Sequence, residues 1–291
     1  MWGGRLGWWT SGNVSGVRLE VAPGIEVRPL LQQERQELLR LLAGLNQEEW
    51  DMPTICPGWS VKDICLHVLG EDLGWLSRGR DQDMSGLIPK TSDYRAFVEA
   101  LNAKNQRWVV AARGLSPLVI HELLQYTGSL VDNWHASLDM SGTGYVAWAG
   151  PDPVPMWFDL ARDLTERWVH QQQIRDALDR PGLNDATYLD PVLRTFIWAL
   201  PHHYREVEAR PGTQLGIRIT GPGGGDWSLI RSESGWELDD RPPSHPAASV
   251  SLDSDTAWRL FTGALGNPQA VRRSGLHSIS KPFLDARGII I

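Results

Sequence analysis

The chain has 291 residues, 42% hydrophobic and 22% charged, with a formal net charge of −7. This length accommodates two ordinary domains with a core each, the composition is that of a soluble globular protein, and no run of about 18 apolar residues offers a membrane span. An acidic balance with no Lys/Arg-rich block argues against a nucleic-acid footprint and leaves small molecules as the expected partners.

Residues 1–26, opening MWGGRLGWWTSGNVSG, lack the continuous apolar run of a secretory signal and are expected to form a flexible N-terminal extension. A leucine stripe, Leu31, Leu38, Leu42 and Leu45, predicts the first helix. After a loop with Pro53, Pro57 and Gly58, a second helix starts with Ser60 as N-cap and Asp63 three residues on, a capping-box pattern. A polar loop over Arg80 to Lys90 leads to a third helix, capped around Ser92 or Asp93. Ser116 and Pro117 open a fourth. A long Gly/Pro connection precedes a fifth, from Met156 to Leu178. Residues 27–182 therefore read as an antiparallel helical bundle.

Beyond Pro181 the pattern changes. DPVLRTFIWALP is one more helix, but QLGIRITGPGGGDWSLIRSESGWEL alternates with period two around Gly/Pro turns, as strands do. ASVSLDSDTAWRLFTGAL passes from a strand into a helix capped by Ser254, and the terminal GIII is expected to be a last short strand. GPGGG lacks the Lys-Ser/Thr and the following helix of a phosphate-binding loop, and is read as a hairpin turn. The fold class is α+β multidomain: a bundle, then a small α+β domain with an antiparallel sheet over residues 190–291.

Cys56 and Cys65 are the only cysteines, which excludes a disulfide framework or an all-thiolate zinc site and suggests a reducing, cytoplasmic location. Fifteen tryptophans are expected to fill the core, each seeking one partner for its indole N–H.

The candidate chemistry starts in TERWVHQQQIRDALDRPG, where Glu166 precedes His170 by one helical turn. Asp159 and Asp163 share their side of the helix, opposite a stripe of Trp157, Leu160, Leu164 and Trp168. Taken alone, that pattern favours a solvated acidic face with an i,i+4 contact. A divalent site needs imidazoles and carboxylates converging about 2 Å from one point with a position left open. One helical turn supplies two ligands, and His67 on the second helix is the natural third, because facing bundle helices can bring such groups together. A satisfied structural histidine is the competing reading of His67. His121 and His135 lie about 21 Å apart in helical rise and cannot share an ion. Adjacent His202 and His203 point in different directions.

The stretches ERQELLRLLAGLNQEEWDMPTICPGWSVKDICLHVLG and ERWVHQQQIRDALDRPG resemble the mycothiol-dependent maleylpyruvate isomerase family, one of the DinB-like metal-binding bundles. The pairing of W-x(2)-P-T-x-C-P-G-W-[ST]-V-x-D with E-x(3)-H carries the likeness, which extends over nearly everything after Ile25. WALPHHYREV and VSLDSDTAWRLFTGAL are similar to that family's small second domain. The resemblance implies a four-helix-type bundle and a divalent metal, usually zinc, held by His67, Glu166 and His170. It also implies mycothiol as thiol cosubstrate, delivered as a metal-bound thiolate to a small electrophile in an isomerase or S-transferase reaction. A second-domain arginine for substrate carboxylates is implied too, with Arg259 and Arg218 as candidates that the sequence does not separate; each is equally readable as paired with a neighbouring acid. That domain is expected to close over the metal end of the bundle. SGLHSISKPFLDARG departs from the family pattern, since Gly275 is followed by Leu276 where relatives carry Gly-Asp. The alternative function is a non-catalytic, metal-containing protein that sequesters a small molecule. Monomer and homodimer are equally compatible with the sequence.

Overall fold

The computed structural model describes residues 24–88 and 94–288. Most of the expected N-terminal extension, the expected cap at Ser92 or Asp93 and the terminal Ile289 to Ile291 lie outside the described residues. Ile25, at the end of that extension, packs against Val27, Leu31, Leu160, Ala161 and Leu164.

The helical half contains α1 (Arg28–Ala43), the short α2 (Gln47–Trp50), α3 (Val61–Gly74), α4 (Tyr94–Ala112), α5 (Pro117–Ala136) and α6 (Met156–Ala177). Helices α1, α3, α5 and α6 form the bundle, with α1 and α3 each touching both α5 and α6, while α4 flanks α3. The expected capping box forms: Ser60 Oγ accepts from the Asp63 amide at 3.3 Å and Asp63 Oδ2 from the Ser60 amide at 3.1 Å. Ser116 caps α5, with Pro117 in its first turn. Past its last α-helical residue α3 widens into a π-type turn over Trp75–Arg80. Among the described residues no helix is long and apolar enough to cross a membrane.

A two-stranded ribbon, β1 (Thr143–Gly144) with β2 (Val154–Pro155), sits in the Gly/Pro connection before α6. After α6 come α7 (Ala186–Trp198), α8 (Leu200–His203), β3 (Gln214–Thr220), β4 (Gly225–Arg231), β5 (Trp236–Asp239), β6 (Ala248–Asp253), α9 (Ser254–Phe261), β7 (Arg272–Gly275) and α10 (His277–Ser280). One sheet of order β5-β4-β3-β6-β7 results, antiparallel except at its centre, where β3 and β6 run parallel. The loop between β5 and β6 crosses the sheet to allow this: Pro243 covers Gly216, where a Cβ would stand 2.8 Å from the proline ring. GPGGG is the β3–β4 turn, as expected.

One local expectation shifts. The cap of α9 is Asp253, whose side chain accepts from the Thr256 amide at 2.7 Å, one residue before the expected Ser254. The Ser254 hydroxyl instead donates to the Thr220 and Pro222 carbonyls of the hairpin turn. Among the described residues, the strand closing the β6 side of the sheet is Arg272–Gly275.

One apolar core serves the second half and reaches into the first. Trp157, Phe158, Trp168 and Val169 of α6 join Phe196, Ile217, Trp227, Trp258 and Phe261 in a single buried cluster. Buried indoles find partners, as Trp168 does at the Leu183 carbonyl (2.9 Å) and Trp236 at that of Val207 (2.9 Å). Helix α6 is thus enclosed by the bundle on one side and by the second half on the other.

Candidate metal centre

Enclosure overturns the solvated-face reading of α6. Asp159, Asp163, Arg167, His170, Gln171, Gln172 and Gln173 are all buried. A buried polar row must find partners within the protein, and this one divides into two arrays.

The first array is a ladder of ion pairs linking three bundle helices. Asp72 on α3 meets Arg35 of α1 at 2.7 Å and Arg167 of α6 at 3.1 Å. Arg167 also bonds Asp163 at 2.8 Å, and Arg162 bonds Asp159 at 2.9 Å. Thr127 of α5 donates to Asp72 at 2.7 Å, and the Trp75 indole to Asp163 at 2.7 Å. Burial pushes the Asp163 carboxyl up, but Arg167 and Arg162 outweigh it and hold the group at about 2. With Arg167 tied to α3, the rotation of α6 about its axis is fixed, and the next residue back, Glu166, faces α3 as well.

The second array is the predicted triad. Glu166 Oε1 lies 3.4 Å from His67 Nε2 and 3.3 Å from His170 Nε2. The two imidazole rings stand nearly perpendicular with centroids 4.7 Å apart. One ligand atom from each residue lies within 4.8 Å of the other two, and among the described residues no other group of His, Cys, Asp and Glu converges in this way. For a tetrahedral ion with bonds near 2.0–2.1 Å, two ligand atoms are separated by about 3.3 Å, so both Glu166 edges already have that length. The histidine side chains are 4% and 2% exposed and the Glu166 side chain 14%, which leaves an approach from the carboxylate side.

The orientation of His170 is set by Gln173, whose Oε1 accepts from His170 Nδ1 at 2.7 Å. That bond leaves Nε2 directed at Glu166, the arrangement in which a metal-binding histidine donates its other N–H to an oxygen. Burial pushes the Glu166 carboxyl up, but hydrogen bonds from His170 and His67 win and hold it well below the usual carboxylate range. Burial likewise pulls His170 down, and its contacts with Cys56 and Glu166 more than reverse this, raising it to about 10. An imidazole that ligates a metal ion must be neutral, so any ion held here would have to displace the proton on His170.

The remaining sequence candidates lie elsewhere. His121 Nε2 meets the Leu39 carbonyl at 3.2 Å, His203 meets that of Pro282 at 2.9 Å, and His135 is buried against Trp75 and Trp134. Arg218 pairs with Asp226 at 2.6 Å across the exposed hairpin. Arg259 pairs with Asp255 at 2.9 Å and, from the second half, with Asp176 of α6 at 2.6 Å. Neither arginine bonds to the triad. Gln173 and Cys56 were not expected at the site, since a glutamine in a QQQ run and a lone thiol carry no pattern that marks them.

Residues 31–175 match the family model of the mycothiol maleylpyruvate isomerase N-terminal domain. The helical half belongs to that domain family. The matched span of this mycothiol maleylpyruvate isomerase N-terminal domain includes His67, Glu166 and His170. Among solved structures, a crystal structure of a histidine-to-alanine variant of the mycothiol-dependent maleylpyruvate isomerase is similar at 16% identity, with a TM-score of 0.53, over 88% of this chain and 95% of that one. A second crystal structure of the mycothiol-dependent maleylpyruvate isomerase has 15% identity and a TM-score of 0.49 over the same shares. The first likeness shows that the helical half and the sheet-containing half share a fold with a known enzyme structure. No curated protein matches the chain.

Proposed function

We propose that the protein is a mycothiol-dependent enzyme, an isomerase or S-transferase acting on a small electrophile, with His67, Glu166 and His170 holding a divalent ion, zinc first among candidates. The two Glu166–histidine separations of 3.4 and 3.3 Å carry this reading, because they match the edges of a tetrahedral site formed by two imidazoles and a carboxylate. The donor set suits zinc, and three protein ligands leave a fourth position for a thiol. A divalent ion bound there supplies one chemistry: it lowers the pKa of a coordinated thiol, so that thiolate is available at neutral pH.

The chain's own groups do the rest. Gln173 takes the His170 Nδ1 proton's hydrogen bond and keeps Nε2 turned inward. The Trp59 ring packs 5.2 Å from His67 and limits its rotation. Of the two arginines, Arg259 is the one we propose for substrate carboxylates, because it alone reaches α6 from the second half. Free, buried Cys56 and Cys65 fit a reducing cytoplasm.

Thiol stoichiometry separates the two reaction classes. Addition of thiolate to a cis-alkene, rotation and expulsion returns the thiol, whereas displacement of a leaving group consumes it. The test is metal analysis of the purified protein together with incubation with mycothiol and a panel of electrophiles. Stoichiometric zinc with mycothiol-dependent turnover, both absent in His170→Ala, is the expected result. Zinc without turnover of any electrophile would favour the sequestering protein.

A further inference from the structure

Cys56 is held more firmly than a packing thiol requires. Its amide donates to Thr54 Oγ1 at 3.2 Å, its carbonyl accepts from the Trp59 amide at 3.0 Å, and the Thr54 amide donates to the Trp59 carbonyl at 3.0 Å. Gly58 takes the left-handed conformation, φ +77°, that closes this loop. The ends are fastened by an antiparallel bridge between Pro53 and Ser60, so the loop delivers the thiol inward from the start of α3.

There the 3%-exposed Cys56 places Sγ 3.2 Å from Gln173 Oε1, the same oxygen that accepts from His170 Nδ1 at 2.7 Å. A glutamine amide can present either its oxygen or its NH2 to a neighbour, and the two choices have opposite consequences here. Oxygen towards His170 requires Nδ1–H, so the proton that His170 gives up when it becomes a neutral ligand is the one on Nε2. NH2 towards His170 makes Nδ1 an acceptor and forces the proton onto Nε2, against Glu166. A thiol S–H is a donor and only a weak acceptor, so it favours the first choice.

We propose that Cys56 is a positioning residue: its thiol hydrogen bond fixes the orientation of the Gln173 amide and, through it, the tautomer of His170. The proposal rests on the reading of His67, Glu166 and His170 as a metal site. Cys56 does not join the three converging groups itself, so its role is to donate a hydrogen bond, which a hydroxyl can also do.

The experiment compares Cys56→Ser, Cys56→Ala and Gln173→Leu with the unaltered chain in two measurements. One is zinc affinity by chelator competition; the other is the 15N–1H signal of the His170 Nδ1–H in the metal-free protein. Gln173→Leu should weaken zinc by roughly 10- to 100-fold, the range for loss of a ligand's supporting partner, and should release the Nδ1 proton to solvent exchange. Cys56→Ala should weaken zinc by roughly threefold to tenfold, as expected for one neutral hydrogen bond, and broaden the signal. Cys56→Ser should keep both near the unaltered values. The proposal is overturned if Cys56→Ala matches the unaltered chain in signal, whatever its zinc affinity. It is equally overturned if Cys56→Ser loses as much as Cys56→Ala, since sulfur itself would then matter. If the unaltered chain binds zinc no better than His170→Ala, the metal reading fails separately, and the Nδ1–H signal still decides between Cys56→Ala and Cys56→Ser.

Discussion

The two buried polar arrays on α6 are built from neighbouring residues, yet they differ in charge balance. In the ladder, Arg35, Arg167 and Arg162 face Asp72, Asp163 and Asp159, so permanent cations meet carboxylates within the fold. The triad has one carboxylate and two imidazoles, and no permanent cation. A ladder of that kind is complete as soon as the chain folds. In the triad, the contacts of His170 with Cys56 and Glu166 outweigh burial and raise it to about 10, so a proton supplies the balancing charge. Burial alone therefore does not distinguish the two arrays; the lack of a permanent cation in the triad does.

The largest expected effect is on metal. His170→Ala removes one of two imidazoles and should abolish stoichiometric zinc, measured by elemental analysis after gel filtration, while the far-UV circular dichroism stays unchanged. Helicity is kept because Leu160, Leu164 and Trp168 remain buried on the opposite side of α6. Retained zinc in this variant would place the ion outside the triad.

Next in size is the ladder. Arg167→Ala leaves Asp163 and Asp72 buried with fewer partners, and breaking a buried pair from one side costs about 3–5 kcal/mol. Urea denaturation should show that loss, with zinc stoichiometry preserved in whatever fraction remains folded. A loss below about 1 kcal/mol would mean that water replaces the guanidinium, and that the ladder is less dry than its burial suggests.

How much of this the sequence disclosed follows from the same contrast. Helices α1 and α5 were legible because each has an apolar side against a wetter one, whereas α3, buried almost all round from Asp63 to Leu69, was legible from its capping box; the caps at Ser60 and Ser116 use local chemistry. The types and spacing of His67, Glu166 and His170 were legible too, and the fold brings the three together. Taken alone, the polar side of α6 reads as solvated, because periodicity distinguishes apolar from polar, not dry from wet, and this helix is enclosed by partners distant in sequence. The parallel β3–β6 pairing depends on a crossing loop that no local pattern encodes. The three-residue shift from His170 to Gln173 is visible only once the helix exists.

Acidity and alkalinity should separate the arrays further. Folded pKa values below the unfolded ones act in acid: His135, lowered to about 4 chiefly by burial, stabilises the fold above about 6.5 and loses that contribution as pH falls to about 4. Asp163, at about 2, loses its contribution between about pH 4 and 2. His170 has the opposite sign. Raised to about 10, it stabilises the metal-free protein below about pH 6.5, and that stability fades as pH rises towards 10. The slope there is at most about 1.4 kcal/mol per pH unit for one proton. Thermal melts of metal-free protein should fall across that range, and His170→Ala should flatten the fall. Added zinc should reverse it, because ligation needs the neutral imidazole. Parallel slopes with and without zinc would show that His170 is not the group that exchanges its proton for metal.

The smallest structural effect belongs to a third polar group, one that is neither dry nor incomplete. Arg259 bonds Asp176 and Asp255 with its side chain 26% exposed and its guanidinium carbon 4.3 Å from the Trp258 ring centroid. Both acids are about half exposed, so water can take the guanidinium's place when it is removed. Arg259→Met should keep much of the contact with Trp258 and cost under about 1 kcal/mol, the range of exposed pairs, against the larger cost of Arg167→Ala in the ladder. Because so little stability depends on it, this arginine is a clean probe of substrate binding. If it receives a substrate carboxylate, Arg259→Met should raise KM for a carboxylate-bearing electrophile by roughly tenfold or more, as loss of a charged hydrogen bond does. KM for an uncharged electrophile should stay the same, and the thermal midpoint should barely move. Equal KM changes for both electrophiles would assign Arg259 to holding the second half against α6 instead.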